Sequence, residues 1–244
     1  MAAQRRKASR GVDERAVPVH SPNLMTQHDP TWVRALAGRF VVFDGPDGSG
    51  KSTQFKRFSL FCQSHGVSVC EVREPGGTNI GEQIRNVLLD PANAEMSLRC
   101  EMMLYMASRG QLMEEKIRPA LLRGELVLAD RFISSTLAYQ GTAGGLSREE
   151  IMAVGHVAIG EQWPDLTVVF DVNEQVAATR LNPLLDRMEQ KGAAFHRRVR
   201  EGYLEQVRRP PYGEYLVIDA SVDADTIFAE LHHRMAERFS PVRS

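Results

Sequence analysis

The chain of 244 residues is 43% hydrophobic and 25% charged, ordinary values for a globular protein that exclude collagen-like, fibrous and low-complexity classes. Thirty basic residues against thirty-one acidic ones give a net charge of -1, so nothing global points to nucleic acid and any polyanion site must be local. No window approaches the ~18 apolar residues of a membrane span, and Cys62, Cys70 and Cys100 are too few and too scattered for a disulfide scaffold or a zinc site, which fits a cytoplasmic setting without nucleic-acid or membrane partners.

Met1 to Gly38 carries six basic and three acidic residues, with Pro18, Pro22 and Pro30 and no periodic apolar face. It reads as a disordered tail, and residues 39–244 as one domain. Order begins at Arg39–Asp44, RFVVFD, a short apolar run that reads as a buried strand. Gly45–Ser52, GPDGSGKS, follows. Thr53–His65 then has Phe55, Phe58, Phe61 and Cys62 at helical spacing. The chain therefore runs strand, glycine loop, helix, with Gly45, Gly50, Lys51 and Ser52 filling the pattern G-x-x-x-x-G-K-[ST].

That pattern has a mechanism. Glycines let Gly45, Pro46, Asp47, Gly48, Ser49 and Gly50 curl so that backbone N–H groups face phosphate oxygens, and the helix opening at Lys51, Ser52 and Thr53 adds its N-terminal dipole. Lys51 is suited to the β- and γ-phosphates and Ser52 to Mg²⁺.

Further apolar runs at Val67–Val72, Glu125–Ala129, Leu166–Phe170 and Tyr215–Ile218 read as strands. Helical stretches lie between and after them: Ile80–Leu89, Ser97–Leu122, Ile133–Gln140, Ser147–Gln162, Asn173–Leu181, Met188–Val207 and Ala224–Arg238. Alternation of this kind predicts an α/β P-loop domain of three layers, a five-stranded parallel sheet with helices on both faces. Ligands in such sheets bind outside the carboxyl ends of the strands. Asp44, Asp130, Asp171 and Asp219 end four of them, and Asp130 is the best candidate for a magnesium carboxylate.

The reaction is not fixed by this fold. A GTPase needs a guanine-reading Asn-Lys-x-Asp, which the sequence lacks. A non-catalytic nucleotide-binding protein needs a large partner surface, and little chain is left over for one. A small-molecule kinase needs a second anion pocket and a basic lid, and Arg73, Arg109, Arg131, Arg180 and Arg187 supply that pattern.

Behind GPDGSGKST, the segments REPGGT (Arg73–Thr78), YMASRGQ (Tyr105–Gln111), DRFISSTLAYQG (Asp130–Gly141) and PDLTVVFDV (Pro164–Val172) resemble bacterial thymidylate kinase over about Phe40–Arg238. The resemblance implies phosphoryl transfer from ATP·Mg²⁺ to dTMP, and a homodimer formed through helices on one side of the sheet. A kinase for another pyrimidine nucleoside monophosphate is the alternative. The resemblance further implies that Arg73 and Arg131 bind the acceptor phosphate, as bidentate donors suit. The Tyr105 position stacks on thymine and the Arg109 position reads the base carbonyl edge. Tyr139 crowds the sugar, Thr136 and Gln140 lie over sugar and base, and Asp47, which polyphosphate would repel, faces the acceptor 3′-hydroxyl.

The sequence departs from the family it resembles in the lid, near Arg180–Gly192. Relatives supply arginines there, whereas this chain reads LNPLL between Arg180 and Asp186. Arg180, on the adenine side, and Arg187, for the transferring phosphoryl group, are the residues expected to compensate.

Overall fold

The computed structural model describes residues 30–180 and 187–240. Five strands pair in parallel in the order β2-β3-β1-β4-β5. They are β1 (Phe40–Asp44), β2 (Val69–Arg73), β3 (Leu126–Asp130), β4 (Leu166–Asp171) and β5 (Glu214–Asp219). Every expected strand is present close to its expected bounds. The central β1 is buried along its whole length, whereas the edge strand β5 alternates between buried and half-buried positions and is exposed at both ends. This difference is why β1 reads as a continuous apolar run.

Period-2 alternation divides β1 between two cores. Val41 and Phe43 pack with Phe55, Phe58 and Cys62 of α1 (Lys51–Ser64) and with Ile227 and Leu231 of α9 (Ala224–Phe239). Phe40 and Val42 face Met102 and Met106 of α3 (Leu98–Leu112) and Ile151 and Ile159 of α6 (Arg148–Ile159). The sheet thus has helices on both faces. The other helices are α2 (Asn79–Leu89), α4 (Arg118–Leu122), α5 (Ile133–Thr136), α7 (Glu174–Arg180) and α8 (Ala193–Arg208). The ladder sets Asp130 opposite Phe43 and Arg73, and Asp44 opposite Val169, so charged residues gather at the carboxyl ends of the strands.

Three expectations are corrected. First, the tail does not extend to Gly38. Pro30–Leu36 is a 3-10 helix in which Trp32, Val33 and Leu36 are fully buried against the α1–α9 core. Trp32 stacks on Phe61 and meets His232 edge-on. Three apolar residues within one turn and a half were too short a pattern to register as a face. Met1–Asp29 lies outside the described residues. Truncation should distinguish the two stretches. Removing Met1–Asp29 is expected to leave the urea midpoint unchanged, whereas Trp32→Ala should cost ~3–5 kcal/mol, the usual range for deleting a buried aromatic. Equal midpoints for wild type and Trp32→Ala would show that this helix is not part of the core.

Second, the expected helix over Ser97–Leu122 is interrupted by a π-helical turn, Met113–Ile117, between α3 and α4. Pro119 lies in the first turn of α4, where its ring excludes the carbonyl four residues back from α-helical register. A second π segment, Leu137–Ala143, continues α5 in place of the expected α-helical end. Such widened turns recur at functional sites, and this one carries Tyr139 and Gln140. Third, the helix expected over Met188–Val207 breaks at Gly192, whose φ of 79° needs no side chain; Glu189–Lys191 before it is a short 3-10 turn.

Candidate active site

The loop leaving β1 is shaped by close approach. Gly45 has φ 144°, and a Cβ there would stand 2.5 Å from the Phe170 carbonyl oxygen. Gly48 has φ 76°, and its Cβ would stand 2.6 Å from the Ala177 carbonyl oxygen. Only glycine lets the loop press against β4 and α7 in this way. Its outer side, from Pro46 to Thr53, lines a cavity of about 560 Å³ with Arg180 and the start of α9. Arg180 is fixed at the rim by donating to the Ala220 carbonyl at 2.8 Å and the Val222 carbonyl at 3.1 Å. A helix N-terminus, backbone amides and a buried lysine on this wall are features suited to polyphosphate.

Lys51 is nearly buried, with Nζ 2.9 Å from Asp130 Oδ1. Burial raises the Asp130 carboxyl pKa, but Lys51 and Arg131 outweigh it and hold the group below the ordinary carboxylate range. Ser52 and Asp130 both line a second cavity of about 390 Å³ on the other side of Lys51.

Arg73, Tyr105, Arg131, Thr136, Tyr139 and Gln140 also line this second cavity, so six residues read from distant motifs meet around one cavity. Asp47, Lys51, Ser52 and Glu189 border both cavities. Asp47 pairs with Arg131 and accepts from the Tyr139 hydroxyl at 2.7 Å. Burial raises its pKa, yet Arg131, the Tyr139 hydroxyl and Lys51 together leave it lowered, so it stands as a carboxylate. Arg73 is half-exposed and paired with Glu82 at 2.8 Å rather than with the neighbouring Glu74.

Arg131 is the most constrained residue of the site. It is not glycine, yet its φ is 71°. Such backbone costs of order 1–3 kcal/mol and persists where surroundings over-determine it. Here the guanidinium also donates to the Gly45 carbonyl at 3.1 Å, to Ser135 at 3.1 Å and to Tyr203 at 3.2 Å. Beneath it lies Asp44, fully buried, which accepts from Tyr203 at 2.6 Å, Ser134 at 2.5 Å, Ser135 at 2.8 Å and the Gly45 amide at 2.9 Å. A buried carboxylate needs that many donors. The partners of Asp44 were not read from the sequence; a serine pair after Asp130-Arg131 and a tyrosine on a remote helix give no spacing signal.

Two expected site residues lie elsewhere. Arg109 does not reach the cavity wall. It is 1% exposed and donates through Nε to Glu74 at 2.9 and 3.0 Å, and through Nη2 to Thr136 at 3.2 Å. Glu74 is buried beside it, and burial pushes that carboxyl up to about 7 against the pull of Arg109. A buried acid of this kind takes the nearest cation, so Arg109 touches the cavity only through Glu74 and Thr136. Arg187 does not stand at the phosphate loop. It pairs with buried Glu101 at 2.7 Å and donates to the Leu88 carbonyl at 2.7 Å. Residues 181–186 of the expected lid lie outside the described residues. Arg85, which lines the second cavity and donates to the Pro75 carbonyl at 2.9 Å, was not anticipated.

The chain is similar to known proteins over most of its length. The family model described as thymidylate kinase matches residues 43–231. A thymidylate kinase of Desulforudis audaxviator is 44% identical over 211 residues, covering 83% of this chain and 94% of that protein. One of Geobacillus sp. is 41% identical over 80% of this chain and 94% of its own length. One of Deinococcus radiodurans is 43% identical over 82% and 98%.

Proposed function

This chain belongs to the thymidylate kinase family, and we propose how its side chains share the ATP-dependent phosphorylation of dTMP to dTDP. The observation that carries the assignment of roles is the junction of the two cavities at Asp47, Lys51, Ser52 and Glu189. ATP lies along Pro46–Thr53 with Arg180 at its outer rim. dTMP lies in the smaller cavity. Its phosphate meets Arg73 and Arg131, Tyr105 stacks on the base, and Tyr139 and Asp47 border the sugar. The acceptor phosphate is itself an anionic nucleophile, so positioning and charge stabilisation carry the chemistry and no general base is required. Lys51 is the cation bordering both cavities, and it takes the role expected of Arg187.

Among the described residues no group of three His, Cys, Asp or Glu could hold a metal by itself. Ser52 and the ionised Asp130 are hard oxygen donors on one wall, which fits a Mg²⁺ carried by the nucleotide phosphates. When bound, that ion neutralises phosphate charge.

Thr136 accepts from Arg109, which leaves its own hydroxyl proton to point at a base carbonyl. A cytosine 4-amino group there would set donor against donor, at ~1–3 kcal/mol, equivalent to about five- to 140-fold. The expected result is a kcat/KM for dTMP above that for dCMP by at least that lower bound in a coupled ADP-release assay. Equal values would remove Thr136 and Arg109 from base recognition.

The reading includes a homodimer in the cytoplasm. Helices α2, α3 and α6 pack side by side, and Ile80, Val87, Met103 and Val157 leave apolar side chains exposed on them, which supports pairing through that layer. No helix among the described residues is long and apolar enough to cross a membrane, and Cys62, Cys70 and Cys100 are free thiols.

A further inference from the structure

Glu101 is absent from the chemistry described so far, yet it is one of the most buried charged residues in the chain, with 1% exposure. Both of its carboxylate oxygens are occupied. Oε1 accepts from Gln140 Nε2 at 2.7 Å and Oε2 pairs with Arg187 Nη2 at 2.7 Å. Lys191 Nζ sits 3.2 Å from each oxygen. These donors come from separate parts of the chain. Gln140 belongs to the π-helical wall of the acceptor cavity. Arg187 and Lys191 bracket Met188 and Glu189, which reach that cavity, and Glu189 also borders the nucleotide cavity.

Other contacts of the same cluster extend the tie. Arg187 donates to the carbonyl of Leu88 at 2.7 Å, and its amide donates to that of Leu89 at 3.3 Å, so the end of α2 is held as well. Leu89 lines the acceptor cavity. Glu101 lies on α3 one helical turn before Tyr105, which lines it too. One carboxylate therefore joins three walls of the acceptor cavity to the segment that spans the two cavities.

We propose that Glu101 is a positioning residue that sets the acceptor pocket and the Arg187–Lys191 segment as one unit, so that binding of the acceptor nucleotide depends on a contact it never makes itself. A second consequence follows from its choice of donors. With Nε2 of Gln140 engaged on the carboxylate, the amide cannot turn freely, and its orientation toward the acceptor is fixed. The proposal rests on the assignment of this cavity to dTMP.

The test uses the full chain. Glu101→Gln keeps the shape, removes the charge and sets an amide N–H among three donors. Its KM for dTMP is expected to rise by ~10-fold or more, from the loss of charge-assisted hydrogen bonds, with the KM for ATP staying within about twofold. A merely structural fault would move both constants together. Losing one partner of a buried charge cluster can prevent folding, so Lys191→Met serves as the second variant. It is a quarter exposed, does not line the acceptor cavity, and leaves the Glu101–Arg187 pair neutral. It should raise the KM for dTMP about threefold or more and spare that for ATP. The proposal is overturned if the folded variants keep a KM for dTMP within twofold of the parent, or if both KM values rise equally. Absence of dTMP phosphorylation in the unaltered chain would instead overturn the assignment of the cavity.

Discussion

Lys51→Ala is expected to lower kcat by ~10³-fold or more, because it removes the cation bordering both cavities at the point where phosphoryl charge is exchanged. Little packing goes with it. The residue lies at the start of α1 and is ion-paired with Asp130. Asp130 keeps some solvent access and remains in the field of Arg131 and Arg85, so it is not stranded. The midpoint of thermal unfolding should therefore move by only a few degrees, the shift that ~1 kcal/mol produces in a chain of this size. A variant that kept kcat within tenfold of the parent would mean that the charge at the junction comes from another side chain, with Arg131 the next to replace.

Asp47→Ala should separate the two substrates. An ionised carboxylate in a polyphosphate cradle is repelled, and here it pairs with Arg131 and accepts from Tyr139. Removing it deletes a charge-assisted contact to the acceptor side and loosens both partners. A hydrogen bond to a charged group contributes ~1.5–3 kcal/mol, so kcat/KM for dTMP should fall by about ten- to 140-fold. ATP binding, measured by calorimetry without acceptor, should change by less than threefold. Arg131 keeps Asp44, the Gly45 carbonyl, Ser135 and Tyr203, which should preserve the fold. Weakened ATP binding with dTMP use spared would move Asp47 to the donor side.

The parallel sheet and the phosphate loop were legible because each is a local pattern: short apolar runs for strands, and glycine spacing between a strand and a helix. The acceptor residues were legible only as motifs. Arg73, Tyr105, Arg131, Thr136, Tyr139 and Gln140 do converge on one cavity. What the chain does not display is who pairs with whom. Arg109 and Arg187 were read as free cations available to a ligand. Each instead neutralises a buried acid, Glu74 or Glu101, remote from it in sequence. Pairing of that kind depends on which helices pack together, and no spacing rule encodes it. The same holds for Asp44, whose donors come from α5 and α8. The 3-10 helix at Pro30–Leu36 was missed for a different reason: its three buried side chains sit beside a basic, proline-bearing stretch whose composition dominates any average.

The most direct test follows the phosphoryl group itself. ATP labelled in its γ-phosphoryl group is incubated with the purified full chain, Mg²⁺ and dTMP, and the products are separated. The label is expected in dTDP, in amounts equal to the ADP formed, and Lys51→Ala should abolish its transfer. Label released as inorganic phosphate, retained in ATP, or moved preferentially to a different nucleoside monophosphate offered in competition would contradict the account.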